Sequence, residues 1–412
     1  MKMNYVKVTD VKENNNILWF KDICINNDKA WFVAGNYNGL YELSLPDGKV
    51  DYLGSFPEEN IFASRLYERL FFYSDLLIAV PSFANSIGIY DLKTGLFEKV
   101  ELPKTRLLYR SDSKFRSACM FKGKIYMFPG YYPYIVEFDI ESRKVKVYEE
   151  WYDEYLKYGG RKNNRLEFFV DIVVINHHAY LVSAQHNIIF RFDLKSGKFE
   201  FYKVGWGSLT NLAYDGSDFW AINSEGVLFR WNSSDFNSVK EYTIETKGSH
   251  FGYSHVLYPY LILVPSLGSE IIYFNVENST IQKIELEYDN GKYSGDECHR
   301  FYFAKKISDK EIILQDRKDK SVKKLTCSDI NEWCTPLKDT SGLTQKNFEL
   351  SEYWGYMKEK ADKCRGENAH LLCMEENDLD FNAWIFYANS YLGKHQKEQK
   401  NCVGTIIHKE MN

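Results

Sequence analysis

The chain has 412 residues, 44% of them hydrophobic and 26% charged, which is enough to bury one large core or two smaller ones. Lysine and arginine total 52 against 57 aspartates and glutamates, and this formal charge of −5 excludes a generally basic nucleic-acid binder. Residues 1–16 hold no apolar run typical of a signal peptide, and no stretch approaches the roughly 20 apolar residues of a membrane span. Eight cysteines are too few for a disulfide scaffold, which predicts free thiols and a cytoplasmic location.

A short phrase recurs along the chain and sets its architecture. The phrase alternates apolar and polar residues, turns through Asp-Gly, Thr-Gly or Ser-Gly, and enters a second alternating strand, as in residues 89–100 and 191–202. An apolar run of strand length precedes each phrase, and one further strand precedes each run. The unit of about 47 residues therefore has four antiparallel strands. The polar residues that mark successive copies are Glu42, Asp91, Asp139, Asp193, Asn232 and Asn275.

Four-stranded units of this length predict the blades of an all-β propeller over residues 1–340. A blade cannot bury both of its faces alone, so several blades must stack radially. We count seven, with six as the alternative because the last copy, at residues 310–329, is highly charged and lacks the aromatic-Asp signature. The alternating residues 3–8 are predicted to complete the last blade from the other end of the chain.

The tail over residues 345–412 has a different pattern. Leu350, Tyr353, Met357, Ala361 and Cys364 follow the spacing of one apolar stripe of a helix. This predicts a small, mainly helical appendage to the propeller.

The D-x-x-[ST]-G turns in four-stranded repeats resemble those of bacterial propellers of the YncE, PQQ-like and virginiamycin B lyase types. The resemblance covers roughly residues 15–338 at the level of the repeat. The sequence lacks the paired glycines of kelch blades, the Gly-His and Trp-Asp pairs of WD40 blades and the sialidase box. The resemblance therefore implies a fold shared by many activities and does not imply one function.

In a propeller, the links between blades and the loops between second and third strands emerge on one face, around the mouth of the central channel. We call this the loop face. Arginine offers a bidentate fork to carboxylate or phosphate, so cations at the mouth suggest an anion site. Solvated rim residues held by neighbouring acids are the more general explanation, because polar residues are common at the channel mouths of closed propellers. Tyrosines beside amides suit sugar rings or a protein interface. The predicted ligand-binding residues on this face are Arg65, Arg116, Asn211, His255, His299, Arg300, Tyr37, Tyr132 and His186.

Two links between blades are rich in positive charge. Residues 104–116 hold five basic residues and one acidic, and the link 149–168 carries Arg161, Lys162 and Arg165. Both predict a docking patch for an acidic partner or ligand, with solvated surface charge as the alternative.

A metal site is a weaker hypothesis. His186, His255 and His299 belong to three blades and could converge on one divalent ion, but no local motif links them. The adjacent His177 and His178 are predicted to lie in a tight turn on the opposite face and are discounted. The expectation is no cofactor, with one divalent metal ion as the alternative.

The function favoured by the sequence is non-catalytic. A rigid propeller would recognise an acidic or carbohydrate-like ligand, or a partner protein, through its loop face, without nucleic acid or a membrane span. The alternative is a lyase or hydrolase that acts on an anionic carbohydrate or small molecule at the channel mouth, with His255 or His299 as the base. No nucleophile elbow or P-loop is present, and no catalytic pair has informative spacing.

Overall fold

The computed structural model describes residues 18–35, 37–45, 50–60, 63–104, 113–159, 168–183, 185–246, 249–286, 301–316, 322–326 and 330–334. Within these ranges the chain forms 28 strands and one helix. The expected appendage over residues 345–412 lies outside the described residues.

The strands form seven separate sheets, and each sheet takes four strands that are consecutive in the chain. Blade one contains β1 (Phe20–Asn26), β2 (Lys29–Ala34), β3 (Leu40–Ser44) and β4 (Val50–Gly54). Blade two contains β5 (Tyr67–Tyr73), β6 (Leu76–Pro81), β7 (Ser86–Asp91) and β8 (Leu96–Glu101). Blade three contains β9 (Phe115–Phe121), β10 (Lys124–Pro129), β11 (Ile135–Asp139) and β12 (Val145–Tyr148), and helix α1 (Glu150–Gly159) follows it.

The remaining four blades repeat this order. Blade four contains β13 (Phe169–Ile175), β14 (His178–Ser183), β15 (Ile188–Asp193) and β16 (Phe199–Lys203). Blade five contains β17 (Leu209–Tyr214), β18 (Asp218–Asn223), β19 (Val227–Asn232) and β20 (Asp235–Thr243). Blade six contains β21 (His250–Leu257), β22 (Tyr260–Leu267), β23 (Glu270–Asn275) and β24 (Ile281–Glu285), and blade seven contains β25 (Phe301–Lys306), β26 (Ile312–Asp316), β27 (Val322–Leu325) and β28 (Ile330–Cys334).

The seven sheets close into a ring. The first strand of each blade contacts the first strand of the next, from β1 through β5, β9, β13, β17 and β21 to β25, and β25 contacts β1. These first strands therefore line a central channel. The prediction of a seven-bladed β-propeller is confirmed, and the six-bladed alternative is wrong.

In the described part of the chain, side chains of blade seven reach the first strand of blade one. All four strands of blade seven come from residues 301–334, and residues 3–8 lie outside the described residues. The side-chain amide of Gln315 accepts a hydrogen bond from the Phe20 N–H at 3.1 Å and donates one to the Leu18 carbonyl at 3.0 Å. Lys305 donates to the Asp22 carboxylate and to the Ile23 carbonyl, both at 2.7 Å.

The core lies in the clefts between neighbouring blades, where apolar side chains of adjacent sheets interdigitate. One cluster joins blade one to blade seven through Phe20, Phe32 and Phe303. Another joins blade six to blade seven, with Ile262 and Leu314 fully buried. Each blade therefore depends on both neighbours for burial, as the repeat predicted.

The recurring polar residue of the phrase has a structural role. In blade two, Asp91 Oδ1 accepts hydrogen bonds from the backbone N–H groups of Lys93 and Thr94, at 2.8 and 3.2 Å. Gly95 completes that turn with a φ of 71°, a conformation that disfavours other residues. Blade four repeats the arrangement with Asp193. The polar residue that recurs in the repeat is therefore explained by the hydrogen bonds of an Asx turn.

Candidate functional site

Hydrogen bonds confirm that the blade links and the second-to-third-strand loops share the loop face. The Arg65 N–H donates to the Gly35 carbonyl of the preceding blade, at 2.9 Å. The Lys114 N–H donates to Ser82 in the same way, at 2.7 Å, and the Phe168 N–H donates to Gly130 at 2.8 Å. Each link is thus held to the loop of the blade before it.

A β-bulge recurs where each first strand begins at this face. In blade two, Tyr67 pairs with Pro81 and Arg69 pairs with Val80, so Glu68 has no partner in the ladder. The same register shift occurs in all seven blades. Bulges re-aim a side chain at the rim of a barrel or next to a site. The residues at the bulge position are Lys21, Glu68, Arg116, Val170, Thr210, Gly252 and Tyr302.

Four cationic residues gather around one buried carboxylate at the mouth. Glu68 is buried and forms an ion pair with Arg116 of the next blade. Burial alone would raise the pKa of Glu68, but the charges of Arg116, Lys21, Arg69 and Arg65 together hold it below its usual range. We call these five residues the mouth cluster.

Four of the five side chains of the mouth cluster are cationic, and one is a carboxylate. The arginines of the cluster also act on Asp171, where burial raises the pKa to about 6 against the opposing charges of Arg69 and Arg116. Four cations therefore act on Glu68, and two of them, Arg69 and Arg116, also act on Asp171. The side chain of Arg69 forms no hydrogen bond or ion pair with any residue that the structure describes.

The residue that follows the bulge position can form a hydrogen bond to the neighbouring blade, as in blades one and four. Asp22 Oδ2 accepts from the Leu70 N–H of blade two at 3.0 Å, and Asp171 Oδ2 accepts from the Leu212 N–H of blade five at 2.9 Å. The two aspartates thus make the same inter-blade hydrogen bond. Because a backbone N–H facing the channel needs an acceptor, these carboxylates are explained by the architecture.

His255 makes a similar inter-blade contact. Its Nε2 lies 3.1 Å from the Ala304 carbonyl of blade seven, which assigns the proton to Nε2. Burial lowers the pKa of His255 to about 4, so the imidazole is neutral at pH 7. One blade further on, Lys305 donates to the Ile23 carbonyl in the same manner. The geometry gives His255 a structural contact in the channel wall.

The other predicted site residues are placed as follows. Arg65 lies over the Trp19 ring at 5.9 Å, and Asn211 is fully buried with its amide donating to the Phe251 carbonyl at 3.0 Å. Tyr132 is buried, and its hydroxyl donates to the Pro103 carbonyl.

Tyr37 and His186 are held at the second-to-third-strand loops. The Tyr37 hydroxyl bonds to that of Tyr41. His186 is buried, with its ring 6.0 Å from that of Tyr155 in α1. The structure therefore brings Arg65 and Arg116 together in the mouth cluster and places Tyr132 and His186 in packed positions.

Several predicted residues lie outside the described residues. They are His299, Arg300, Arg110, Arg161, Lys162 and Arg165. The basic docking patch and the part of the metal hypothesis that rests on His299 stay predictions.

Sequence reasoning missed Lys21, Glu68 and Arg69. A short pattern at the start of each first strand would have pointed to them. An aromatic residue or leucine is followed by two variable positions and, in most blades, by an aliphatic residue, as in Phe-Lys-Asp-Ile and Tyr-Glu-Arg-Leu. Trp206, in the link from blade four to blade five, was also missed. It is 43% exposed, and its indole N–H donates to Glu241 at 3.3 Å, so this link presents an aromatic ring to solvent on the loop face.

Comparison with known proteins supports the fold. No protein-family model matches the chain, and no curated protein matches it. Among solved structures, it is similar to virginiamycin B lyase from Staphylococcus aureus, with a TM-score of 0.55 and 17% identity over 76% of this chain and 96% of that one. BamB from Moraxella catarrhalis gives a TM-score of 0.51 and 12% identity, covering 72% of this chain and 82% of that one. The computationally designed protein Ika8 gives 0.50 and 9%, covering 76% and 85%.

The expected resemblance to bacterial propeller repeat proteins is confirmed as a likeness of fold. In the part of the chain that the structure describes, no helix has the length and apolar character needed to cross a membrane.

Proposed function

We propose that this propeller is a binding protein that holds an anionic group of its ligand, a carboxylate or a phosphate, at the mouth cluster. The observation that carries the proposal is the environment of Glu68, where four cationic side chains act on one buried carboxylate. The carboxylate of Glu68 neutralises part of this positive charge through its ion pair with Arg116. Arg69 retains its hydrogen-bonding capacity with respect to the described residues.

An arginine at a narrow channel mouth is well suited to such a ligand. Its planar fork matches the two oxygens of a carboxylate or phosphate, and it keeps its charge at every physiological pH. Protein walls of low dielectric strengthen the attraction relative to bulk water. A ligand anion would replace solvent as the partner of Arg69 and balance the excess charge of the mouth cluster.

The body of the ligand would extend over the loop face. Exposed Trp206 suits the apolar face of a sugar ring, which favours a uronate or another acidic carbohydrate. An acidic segment of a partner protein is the second form that the same charge pattern accommodates. The tail over residues 345–412 would add a second contact surface, and we place the binding event in the cytoplasm.

Binding without catalysis is favoured by the state of His255. A general base must be able to reach a substrate proton, whereas His255 Nε2 is held by the Ala304 carbonyl at 3.1 Å. Virginiamycin B lyase, which this chain resembles in fold, is a lyase, so an elimination reaction is the enzymatic alternative. That alternative needs a base other than His255.

The test is calorimetric titration of the full chain with galacturonate and, separately, with inorganic phosphate. Arg69→Ala is expected to weaken binding at least tenfold, and Glu68→Gln to tighten it, because the second change removes the competing carboxylate. Arg143→Ala is the matched control, since Arg143 pairs with Glu98 in a turn on the opposite face. Equal affinities of the Arg69 and Arg143 variants, or no saturable binding of either probe to the wild type, would refute the proposal.

A further inference from the structure

The face opposite the loop face holds a group of metal-ligating side chains in blade four. His177, His178 and Asp193 present one donor atom each, and the three atoms lie within 4.8 Å of one another. Asp193 Oδ2 is 4.0 Å from His177 Nε2 and 3.8 Å from His178 Nε2. Among the described residues this is the one group of three histidine, cysteine or acidic side chains with such spacing.

The fold of the turn explains why two adjacent histidines point to one place. Consecutive side chains of an extended strand face opposite ways, but Asn176 adopts a φ of 56° in the turn between β13 and β14. His177 therefore lies in the turn and not in an extended strand, and its imidazole comes close to that of His178, with ring centroids 4.2 Å apart. His178 is also the direct cross-strand partner of Asp193 in the ladder of β14 and β15.

The backbone around the three residues is fixed. The Leu194 N–H donates to the His177 carbonyl at 2.8 Å, which ties the turn to the end of β15. Asp193 Oδ1 accepts the N–H groups of Lys195 and Ser196, at 2.8 and 3.1 Å. These hydrogen bonds occupy one carboxylate oxygen and leave Oδ2 facing the two imidazoles.

The two imidazole nitrogens lie slightly farther from Asp193 Oδ2 than they would around a bound ion. Ligand atoms on a tetrahedral ion with bonds of about 2.0–2.1 Å are about 3.3 Å apart, so the distance from each imidazole nitrogen to Asp193 Oδ2 must shorten by roughly half an ångström. The side chains are 31%, 27% and 24% exposed, for His177, His178 and Asp193 respectively, so an ion has access. The nearby positive charge of Arg191 is balanced by Glu200, at 2.7 Å.

We propose that His177, His178 and Asp193 bind one divalent transition-metal ion of the zinc class on the face opposite the mouth cluster. Two imidazoles and one carboxylate suit Zn²⁺, Ni²⁺ or Cu²⁺ and not Mg²⁺ or Ca²⁺, which prefer oxygen ligands. Three protein ligands leave a coordination position open to water or to a donor from another molecule. The ion would cross-link the β13–β14 turn to the end of β15.

The test is equilibrium dialysis of the full chain against ZnCl2 after chelator treatment, with zinc counted by elemental analysis. The measured quantity is the difference between variants, so that zinc held by other cysteines or histidines of the chain cancels. His178→Ala and Asp193→Asn are each expected to hold one zinc fewer than the wild type. Asparagine keeps the Oδ1 acceptor that the turn needs, so Asp193→Asn separates loss of the metal from loss of the fold.

His250→Ala is the matched control, because His250 is exposed in β21 and lies apart from the group. It is expected to bind as much zinc as the wild type. A second measurement is the melting temperature, which added Zn²⁺ should raise in the wild type and the control and leave unchanged in the two site variants. Equal zinc content in the wild type and both site variants would overturn the proposal, whatever the melting temperatures.

Discussion

Replacing Gln315 is expected to open the seam between blade seven and blade one. Gln315, Leu18 and Phe20 are all fully buried. The amide of Gln315 bonds to the Phe20 N–H and to the Leu18 carbonyl, and these two bonds join segments almost 300 positions apart in the chain. The four strands of the seventh sheet come from residues 301–334, so side-chain contacts such as these contribute to the closure between blade seven and blade one.

The magnitude follows from the burial of the two backbone groups. Gln315→Ala leaves one buried donor and one buried acceptor without a partner, and each such group costs about 1–3 kcal/mol. We expect a loss of about 3 kcal/mol in the free energy of unfolding. The aromatic contacts of the seam, such as Trp19 stacked on Tyr302 at 4.6 Å, remain and keep the ring closed at low denaturant.

The assay is urea unfolding followed by tryptophan fluorescence and far-UV circular dichroism, with coincident transitions as the condition for a two-state analysis. Gln315→Met keeps the side-chain volume and removes both hydrogen bonds, so it separates the bonds from the cavity. Gln282→Ala, at an exposed position of β24, is the control and should change stability by less than about 0.5 kcal/mol. If the alanine and methionine variants at position 315 behave like the control, the amide does not hold the seam.

Two further predictions concern ionisable groups of the channel. Because burial raises the pKa of Asp171 to about 6, the folded state holds this proton more tightly than the unfolded chain, and stability is lost as the pH rises from about 4 through 6. The pKa of His255 is lowered to about 4, so its contribution has the opposite sign and is lost as the pH falls below about 6.5. When the pH falls from 7 to 4.5, Asp171→Asn should therefore lose more stability than the wild type, and His255→Gln should lose less. Each difference should be roughly 1–2 kcal/mol in urea unfolding, since both side chains keep some exposure to the channel. Identical pH profiles for the variants and the wild type would contradict this assignment. Arg116→Met should destabilise the protein by about 1–2 kcal/mol, because it leaves the buried carboxylate of Glu68 without its ion pair while other cations remain nearby. Adding Glu68→Gln should restore most of that loss in thermal unfolding, and a double variant no more stable than Arg116→Met would show that the ion pair is not the cause.

The repeat of the sequence was sufficient to predict the blades. Alternation of apolar residues places one face of each strand toward a neighbouring sheet, and turns built on Asp91 and Gly95 fix the hairpins locally. Both features depend on residues close together in the chain, which is why they can be read without a structure. The helix Glu150–Gly159 was not predicted, because it lies in a link that the repeat pattern does not cover.

The candidate site was only partly predictable. Arg65 and Arg116 were identified from their place near the start of first strands, and both belong to the mouth cluster. Glu68 and Arg69 were missed, because the bulge that sets their direction is a feature of strand pairing, and the short pattern at the start of each first strand does not by itself reveal it. The sequence predicted His255 as a catalytic candidate, whereas its inter-blade hydrogen bond gives it a structural contact.

The amino-acid sequence by itself determined that the chain repeats a four-stranded unit and that the units must stack, because hydrophobic periodicity and turn chemistry act over a few residues. Only the tertiary structure decided which side chains meet. The ion pair of Glu68 with Arg116, the clamp of Gln315 on blade one and the approach of His177 and His178 to Asp193 each depend on ring closure or sheet register. These set distances between residues that the local pattern leaves unrelated.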